Sequence, residues 1–121
     1  MALNVTVTDS RIEDPIIKET LLNNAGINNA IGTSGSLYTA TFVSLDSSNE
    51  NHIKFYDATS ATASTAPEIL FPIPASGTVD MTIVGGIAFT NGLCLRASRE
   101  AGTSGTTEPA HSGITAYIVV S

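Results

Sequence analysis

The side chains capable of nucleophilic or acid–base chemistry are few and far apart in this 121-residue sequence. Cys94 is the one cysteine, and His52 and His111 are the two histidines that could act as its base. A cysteine nucleophile needs a base within hydrogen-bonding distance. Cys94 sits between Leu93 and Leu95 in an apolar alternation, whereas His52 opens a strand after a polar turn and His111 lies in a loop with Gly and Ser. The fold could still bring a histidine to Cys94, but the pattern favours a packed thiol. We therefore predict no catalytic residue.

Metal and phosphate chemistry have equally weak candidates. Asp46, Asn49, Glu50 and Asn51 are rich in oxygen ligands and could hold calcium loosely, but they lack the ligand order and the closing glutamate of a calcium loop. A solvated hairpin turn is the preferred interpretation. Residues 102–107 have the glycine content of a phosphate loop, but no lysine follows them. We therefore predict neither a metal site nor a cofactor.

Composition narrows the possible partners. The chain has 5 basic and 11 acidic residues, a net charge of −6, and only 13% charged against 42% hydrophobic residues. A nucleic-acid partner is not expected, since phosphate contacts need clustered Lys and Arg. The sequence contains no stretch of about 18 apolar residues, which a transmembrane helix requires. The first residues lack the pattern of a signal peptide, so we expect synthesis in a cytoplasm and no membrane partner.

The elements that must position these side chains are predicted to be strands. Short apolar–polar alternations are separated by turns rich in Gly, Pro, Ser and Asn, at residues 37–45, 53–56, 69–73, 79–84, 87–89, 93–97 and 114–120. Every connection is too short for a crossover helix, so the pairing should be antiparallel. The sequence predicts an all-β fold, an antiparallel β-sandwich or jelly roll. Its expected core contains Phe55, Phe71, Met81, Ile83, Phe89, Leu93 and Leu95.

The beginning of the chain is less regular, and we predict an irregular N-terminal arm over residues 1–35 before a sandwich domain over residues 36–121. Leu3, Val5 and Val7 alternate with polar residues and predict a short strand. Such a strand could add to a sheet edge on a partner, or pair within its own sandwich. Asp14-Pro15 suits a helix start, so residues 16–22 are predicted as a short helix, with a strand as the alternative.

Five short stretches between residues 36 and 98 combine strand starts, paired prolines and a glycine elbow. They are Leu37-Tyr38, Ile53-Lys54-Phe55-Tyr56-Asp57-Ala58, Ala66-Pro67, the run from Phe71-Pro72-Ile73-Pro74 to Ser76-Gly77-Thr78, and residues 85–93. In this combination the chain resembles small structural proteins of tailed bacteriophages. The resemblance covers roughly half of the chain and carries no catalytic residue. It implies a small β-sandwich virion protein, such as a head decoration (cement) protein or a tail component.

From this resemblance we expect a non-enzymatic virion protein that binds the major capsid protein and stabilises the head as a homotrimer. A tail, neck or fibre-base component is the alternative within the same class. A glycan- or receptor-binding β-sandwich module is the alternative from another class. Glycan sites usually present aromatic platforms, and here Trp is absent while Tyr38, Tyr56 and Tyr117 lie in predicted strands.

The distribution of charged residues along the chain is consistent with an oligomer. Residues 37–45, 69–75 and 81–95 contain no charged side chain. Low charge over long strands is typical of a surface that another subunit covers. A sheet buried on both faces within one sandwich is the alternative for the apolar stretch around Ile69, Leu70 and Phe71.

Overall fold

The computed structural model describes residues 2–5, 16–23, 26, 34–62, 64–102, 105–110 and 113–121. Over these residues the chain forms eight strands and no helix. The strands are β1 (Ala2–Val5), β2 (Ile16–Leu22), β3 (Gly35–Ser44), β4 (Asn51–Asp57), β5 (Ile69–Ile73), β6 (Thr78–Phe89), β7 (Leu93–Ser98) and β8 (Ile114–Val120). Every pairing among them is antiparallel, which confirms the all-β, antiparallel prediction.

The strand order is that of a jelly roll. One sheet has five strands in the order β1-β2-β8-β3-β6, and the other has three in the order β5-β4-β7. The chain passes from β3 to the three-stranded sheet for β4 and β5, returns for β6, crosses again for β7, and returns for β8. Such repeated crossing between two antiparallel sheets is the double Greek key of a jelly roll.

The chain just after β2 lies beside β7, where a complete jelly roll has a fourth strand in its second sheet. The Ala97 amide donates to the Asn23 carbonyl at 2.9 Å. Gly26 follows with φ +70°, and a Cβ there would lie 2.2 Å from the Leu95 carbonyl oxygen. A glycine is therefore required where this segment crosses the edge of β7.

The hydrophobic core fills the space between the two sheets. Phe42 from the five-stranded sheet meets Phe55 and Phe71 from the other, with ring centroids 5.8 and 5.6 Å away. The predicted core residues all belong to this cluster. Phe55, Phe89, Leu93 and Leu95 are fully buried, while Phe71, Met81 and Ile83 are partly buried against them.

Residues 16–22 form a strand, so the predicted helix is wrong. β2 lies between β1 and β8 and contributes Ile17 and Leu22 to the core. Branched Ile16 and Ile17 favour a strand, and one buried face outweighs the helix-start signal of Asp14-Pro15. Leu3 in β1 pairs with Lys18 of β2. Residues 6–15 and 27–33, and with them Val7, lie outside the described residues.

β6 is one strand where the sequence predicted two strands joined by a Gly85-Gly86 turn. Its pairing with β3 jumps from Thr82, opposite Thr39, to Ile87, opposite Leu37. Four residues of β6 therefore oppose a single residue of β3, and the pairing continues on both sides. The glycines form a bulge within the strand, which bends it without reversing its direction.

Candidate interaction surface

Exposed apolar side chains occur on β5 and β6, two strands that line one cleft. β6 is the last strand of the five-stranded sheet and β5 the last of the other. Val84 of β6 is 98% exposed, while Ile87 of β6 and Leu70 of β5 are more than one-third exposed. We call these three residues and the cleft between the strands the β5–β6 edge. Large apolar side chains exposed on edge strands are candidates for a protein-binding surface.

The bulge in β6 explains why Val84 stands free of the sheet. Gly85 and Gly86 have φ values of +80° and +78°, a region that side chains other than glycine disfavour. A Cβ on Gly86 would lie 2.8 Å from the Tyr38 ring, so the backbone packs directly under this aromatic side chain. The bulge lifts Val84 away from the core while Ile83 stays packed against it.

A cleft of about 340 Å³ opens between the start of β5 and the end of β6. Its lining combines apolar side chains with two carboxylates, from Asp57, Glu68, Ile69, Ile87, Ala88 and Phe89. Glu68 is exposed, and its backbone amide donates to the Phe55 carbonyl at 2.8 Å, which fixes the rim. A cleft of this size can receive one apolar side chain of a partner.

Asp57 ties the β6–β7 turn to β4 at this cleft. Its Oδ1 accepts the amides of Asn91 at 2.8 Å and Thr90 at 3.0 Å, and its Oδ2 accepts the Thr90 hydroxyl at 3.1 Å. The Asn91 amide is the main reason that the pKa of the Asp57 carboxyl lies below its usual value. The carboxylate is thereby charged and fixed at neutral pH, holding the end of β6 in place.

The residues considered for nucleophilic chemistry have separate partners. The Cys94 thiol is buried and donates to the Ala58 carbonyl at 2.9 Å. The His52 ring contacts the Arg99 carbonyl through Nδ1 at 2.8 Å and Glu50 through Nε2 at 3.5 Å. His111 lies outside the described residues. Cys94 and His52 therefore each contact a different backbone carbonyl.

Asp46 is a buried structural carboxylate in the connection between the two sheets, so the predicted solvated hairpin turn is wrong: β3 and β4 belong to different sheets. Its side chain is fully buried. Oδ1 accepts the amides of Ser48 and Asn49 at 3.0 Å, while Oδ2 accepts the Ala110 amide at 2.9 Å and the Asn51 side chain at 3.1 Å. Burial raises the pKa of this carboxyl, but these hydrogen bonds outweigh it and hold the pKa well below its usual value. The oxygens that calcium would use are occupied by protein donors.

The outer face of the three-stranded sheet carries a buried lysine. Lys54 is fully buried, and its ammonium donates to the Ser98 hydroxyl at 2.9 Å and to the Gly102 carbonyl at 2.6 Å. Burial and the neighbouring Arg96 lower the pKa of Lys54. The segment covering it is held by Glu100, whose carboxylate accepts the amide and the hydroxyl of Thr107. Both faces of β4 and β7 are therefore covered. In β5, for which burial on both faces was the alternative interpretation, Leu70 is exposed.

The N-terminal strand predicted for partner binding pairs at least in part with its own chain. Residues 2–5 hydrogen-bond to β2, with Leu3 opposite Lys18 and Val5 opposite Ile16. β1 is the last strand on that side of the sheet, so its other edge carries no strand among the described residues. Binding of a partner there stays a prediction.

The sequence did not predict the exposure of Val84, because Gly85-Gly86 fits a turn between two strands as well as a bulge within one. Over the described parts of the chain, no group of three or more His, Cys, Asp or Glu is placed to hold a metal ion. The same residues include no helix of the length and hydropathy needed to cross a membrane.

Comparison with known proteins adds no relative to this picture. No family model, curated protein or solved structure matches the chain.

Proposed function

We propose that this chain is a non-enzymatic structural protein of a tailed-phage virion, acting as a decoration protein on the head. The observation that carries the proposal is the β5–β6 edge, where Val84 is 98% exposed on the strand whose end lines the cleft. A fully exposed valine on a glycine bulge gives the isolated chain no packing energy. Its free energy gain comes only when a partner removes it from water.

The sequence resemblance supplies the identity of that partner, the major capsid protein, and the homotrimer as the order of assembly. A decoration protein stabilises a shell by mass action, because it binds the assembled lattice more tightly than the separate subunits. In a trimer, three linked copies would bind the shell together, so that weak single contacts give strong attachment. The negative net charge of −6 favours solubility and disfavours contact with packaged nucleic acid.

A virion protein from the tail is the second candidate within this class. The jelly-roll order of the strands suits either position, because the same two-sheet architecture serves many functions. The exposed edge and the resemblance both bear on assembly, and they favour a virion role over a glycan-binding module.

The experiment is co-sedimentation of the purified chain with phage heads that lack it. Val84→Asp places a charge at the tip of the bulge and is expected to weaken head binding about tenfold or more. Thr59→Asp, at an exposed loop position, is the matched control and should bind as the unmodified chain does. Thermal melting checks that both variants fold. Equal head binding by the two variants would contradict a role for the β5–β6 edge, and no binding by the unmodified chain would contradict decoration.

A further inference from the structure

Four side chains from four neighbouring strands form one row across the outer face of the five-stranded sheet. Lys18 of β2 pairs in register with Tyr117 of β8, Tyr117 with Thr41 of β3, and Thr41 with Asp80 of β6. The Lys18 ammonium lies 5.5 Å from the centroid of the Tyr117 ring. The Thr41 hydroxyl donates to Asp80 Oδ1 at 2.7 Å. We call these four residues the outer row.

The face around the outer row is neutral and weakly polar. Its flanking positions carry small hydroxyl and branched apolar side chains, namely Thr39, Val43, Thr78, Thr82, Thr115 and Val119. Among the described outward positions of β2, β3, β6 and β8, Lys18 and Asp80 are the charged residues. One positive and one negative charge cancel there, although the whole chain carries −6.

The two charges stand at opposite ends of the row. Neighbouring strands lie about 4.8 Å apart, so three strand spacings separate Lys18 from Asp80 by roughly 14 Å. A two-fold axis parallel to the strands, between β8 and β3, would place Lys18 opposite Asp80 of the partner subunit. The same rotation places Tyr117 opposite Thr41 of the partner subunit. Because a two-fold contact repeats itself, both ion pairs would form together.

We propose that this face binds a second copy of the chain in that two-fold arrangement. Aligned sheets pack about 10 Å apart, a gap that a lysine and an aspartate can bridge between them. Two chains of net charge −6 repel each other, and this face lets them meet without opposing like charges. Its Tyr, Thr and Val composition with few charges is also that of an interface centre.

The contact is expected to be weak and reversible. A face of four strands buries on the order of 1,000 Å² in total, at the lower end of specific interfaces. At low concentration the chain should therefore have one molecular mass, and this mass should double only as the concentration rises. Self-pairing of the purified chain does not rest on the proposed virion role, so self-pairing and the virion role can each fail without the other.

Charge reversal tests the pairing directly. Lys18→Glu places Glu opposite Asp80 of the partner subunit, and Asp80→Lys places Lys opposite Lys18 of the partner subunit. Each single variant is expected to weaken dimerisation about tenfold. The double variant Lys18→Glu/Asp80→Lys exchanges the charges and should return to within about threefold of the unmodified chain. Rescue within one chain is not expected, because roughly 14 Å exceeds the Debye length of about 8 Å at physiological salt.

Glu50→Lys is the matched control for Asp80→Lys, since it makes the same charge change at an exposed position in the turn before β4. It lowers the general repulsion between chains and should leave dimerisation unchanged or tighter, whereas Asp80→Lys should weaken it. Thermal melting confirms that each variant is folded.

Sedimentation velocity over a concentration series gives the readout. Mass doubling that the single variants lose and the double variant regains supports the proposal. No doubling up to about 1 mM, or a double variant that pairs no better than the single ones, would overturn it. Loss of head binding in the variants, without any self-pairing of the unmodified chain, would also overturn it and identify the capsid as the occupant of this face.

Discussion

At the scale of single residues, Phe55 shows how one side chain joins the two sheets. Its ring is fully buried, with centroids 5.8 Å from Phe42 and 6.1 Å from Phe71. Phe55→Ala is expected to lower the free energy of unfolding by about 3–5 kcal/mol, measured by urea denaturation. Leu70→Ala in the neighbouring strand is the control, since Leu70 is partly exposed, and should cost less than Phe55→Ala. A loss below about 1 kcal/mol for Phe55→Ala would contradict the facing of β4.

Asp46 gives the chain a predictable response to acid. Its folded-state pKa lies below the ordinary 3.8, so its stabilising contribution is complete above that value and is lost as pH falls below it. Asp46→Asn keeps the size of the side chain but replaces one acceptor with a donor. We expect this substitution to lower the free energy of unfolding by about 2–3 kcal/mol at pH 7. The difference between the two proteins should become smaller as the pH falls from about 5 towards 2. A difference between the two proteins that stays constant across this range in urea titrations would contradict the assignment.

At the scale of elements, the bulge in β6 contains two glycines that have the same backbone conformation but different surroundings. Gly85 and Gly86 both have φ near +80°, but a Cβ on Gly85 would meet nothing within 4 Å, whereas one on Gly86 would meet the Tyr38 ring. Gly85→Ala should therefore lower the free energy of unfolding only through backbone strain, by about 1 kcal/mol. Gly86→Ala should lower it by clearly more, because its Cβ also meets the Tyr38 ring. Thermal melting of the pair measures the difference. Equal losses would mean that the Tyr38 contact does not constrain the bulge.

The elements also show what the sequence could predict. The sequence located β3, β4, β5, β7 and β8. Burial alternates along β3, β5 and β8, and in β4 and β7 the charged Lys54 and Arg96 keep the alternation visible although both faces are covered. The continuity of β6 could not be read from Gly85-Gly86, since the same residues suit a hairpin turn and a bulge. β2 was ambiguous because its pairing with β8 joins residues about 100 positions apart. The exposure of Val84 likewise depends on which strand ends the sheet, and local sequence does not contain that information.

At the scale of the whole molecule, the first strand can be separated from the core. β1 contacts the rest of the described sheet through β2, whereas Ile17 and Leu22 in β2 carry the core contacts. A chain lacking residues 1–10 should stay folded, with a melting temperature lower by several degrees. If the segment attaches the protein to a capsid, the truncated chain should also bind heads poorly. Circular dichroism showing an unfolded chain would place β1 in the essential core, and normal head binding would end the attachment hypothesis.

The proposed virion role is tested most directly by a cryo-EM map of phage particles purified from a culture that expresses this chain. We expect two-sheet density of 12.5 kDa per copy, grouped in threes on the outer surface of the head, with the β5–β6 edge against a neighbouring subunit. The same density on the tail would replace decoration with the tail alternative. Particles that lack the protein altogether would contradict the virion role.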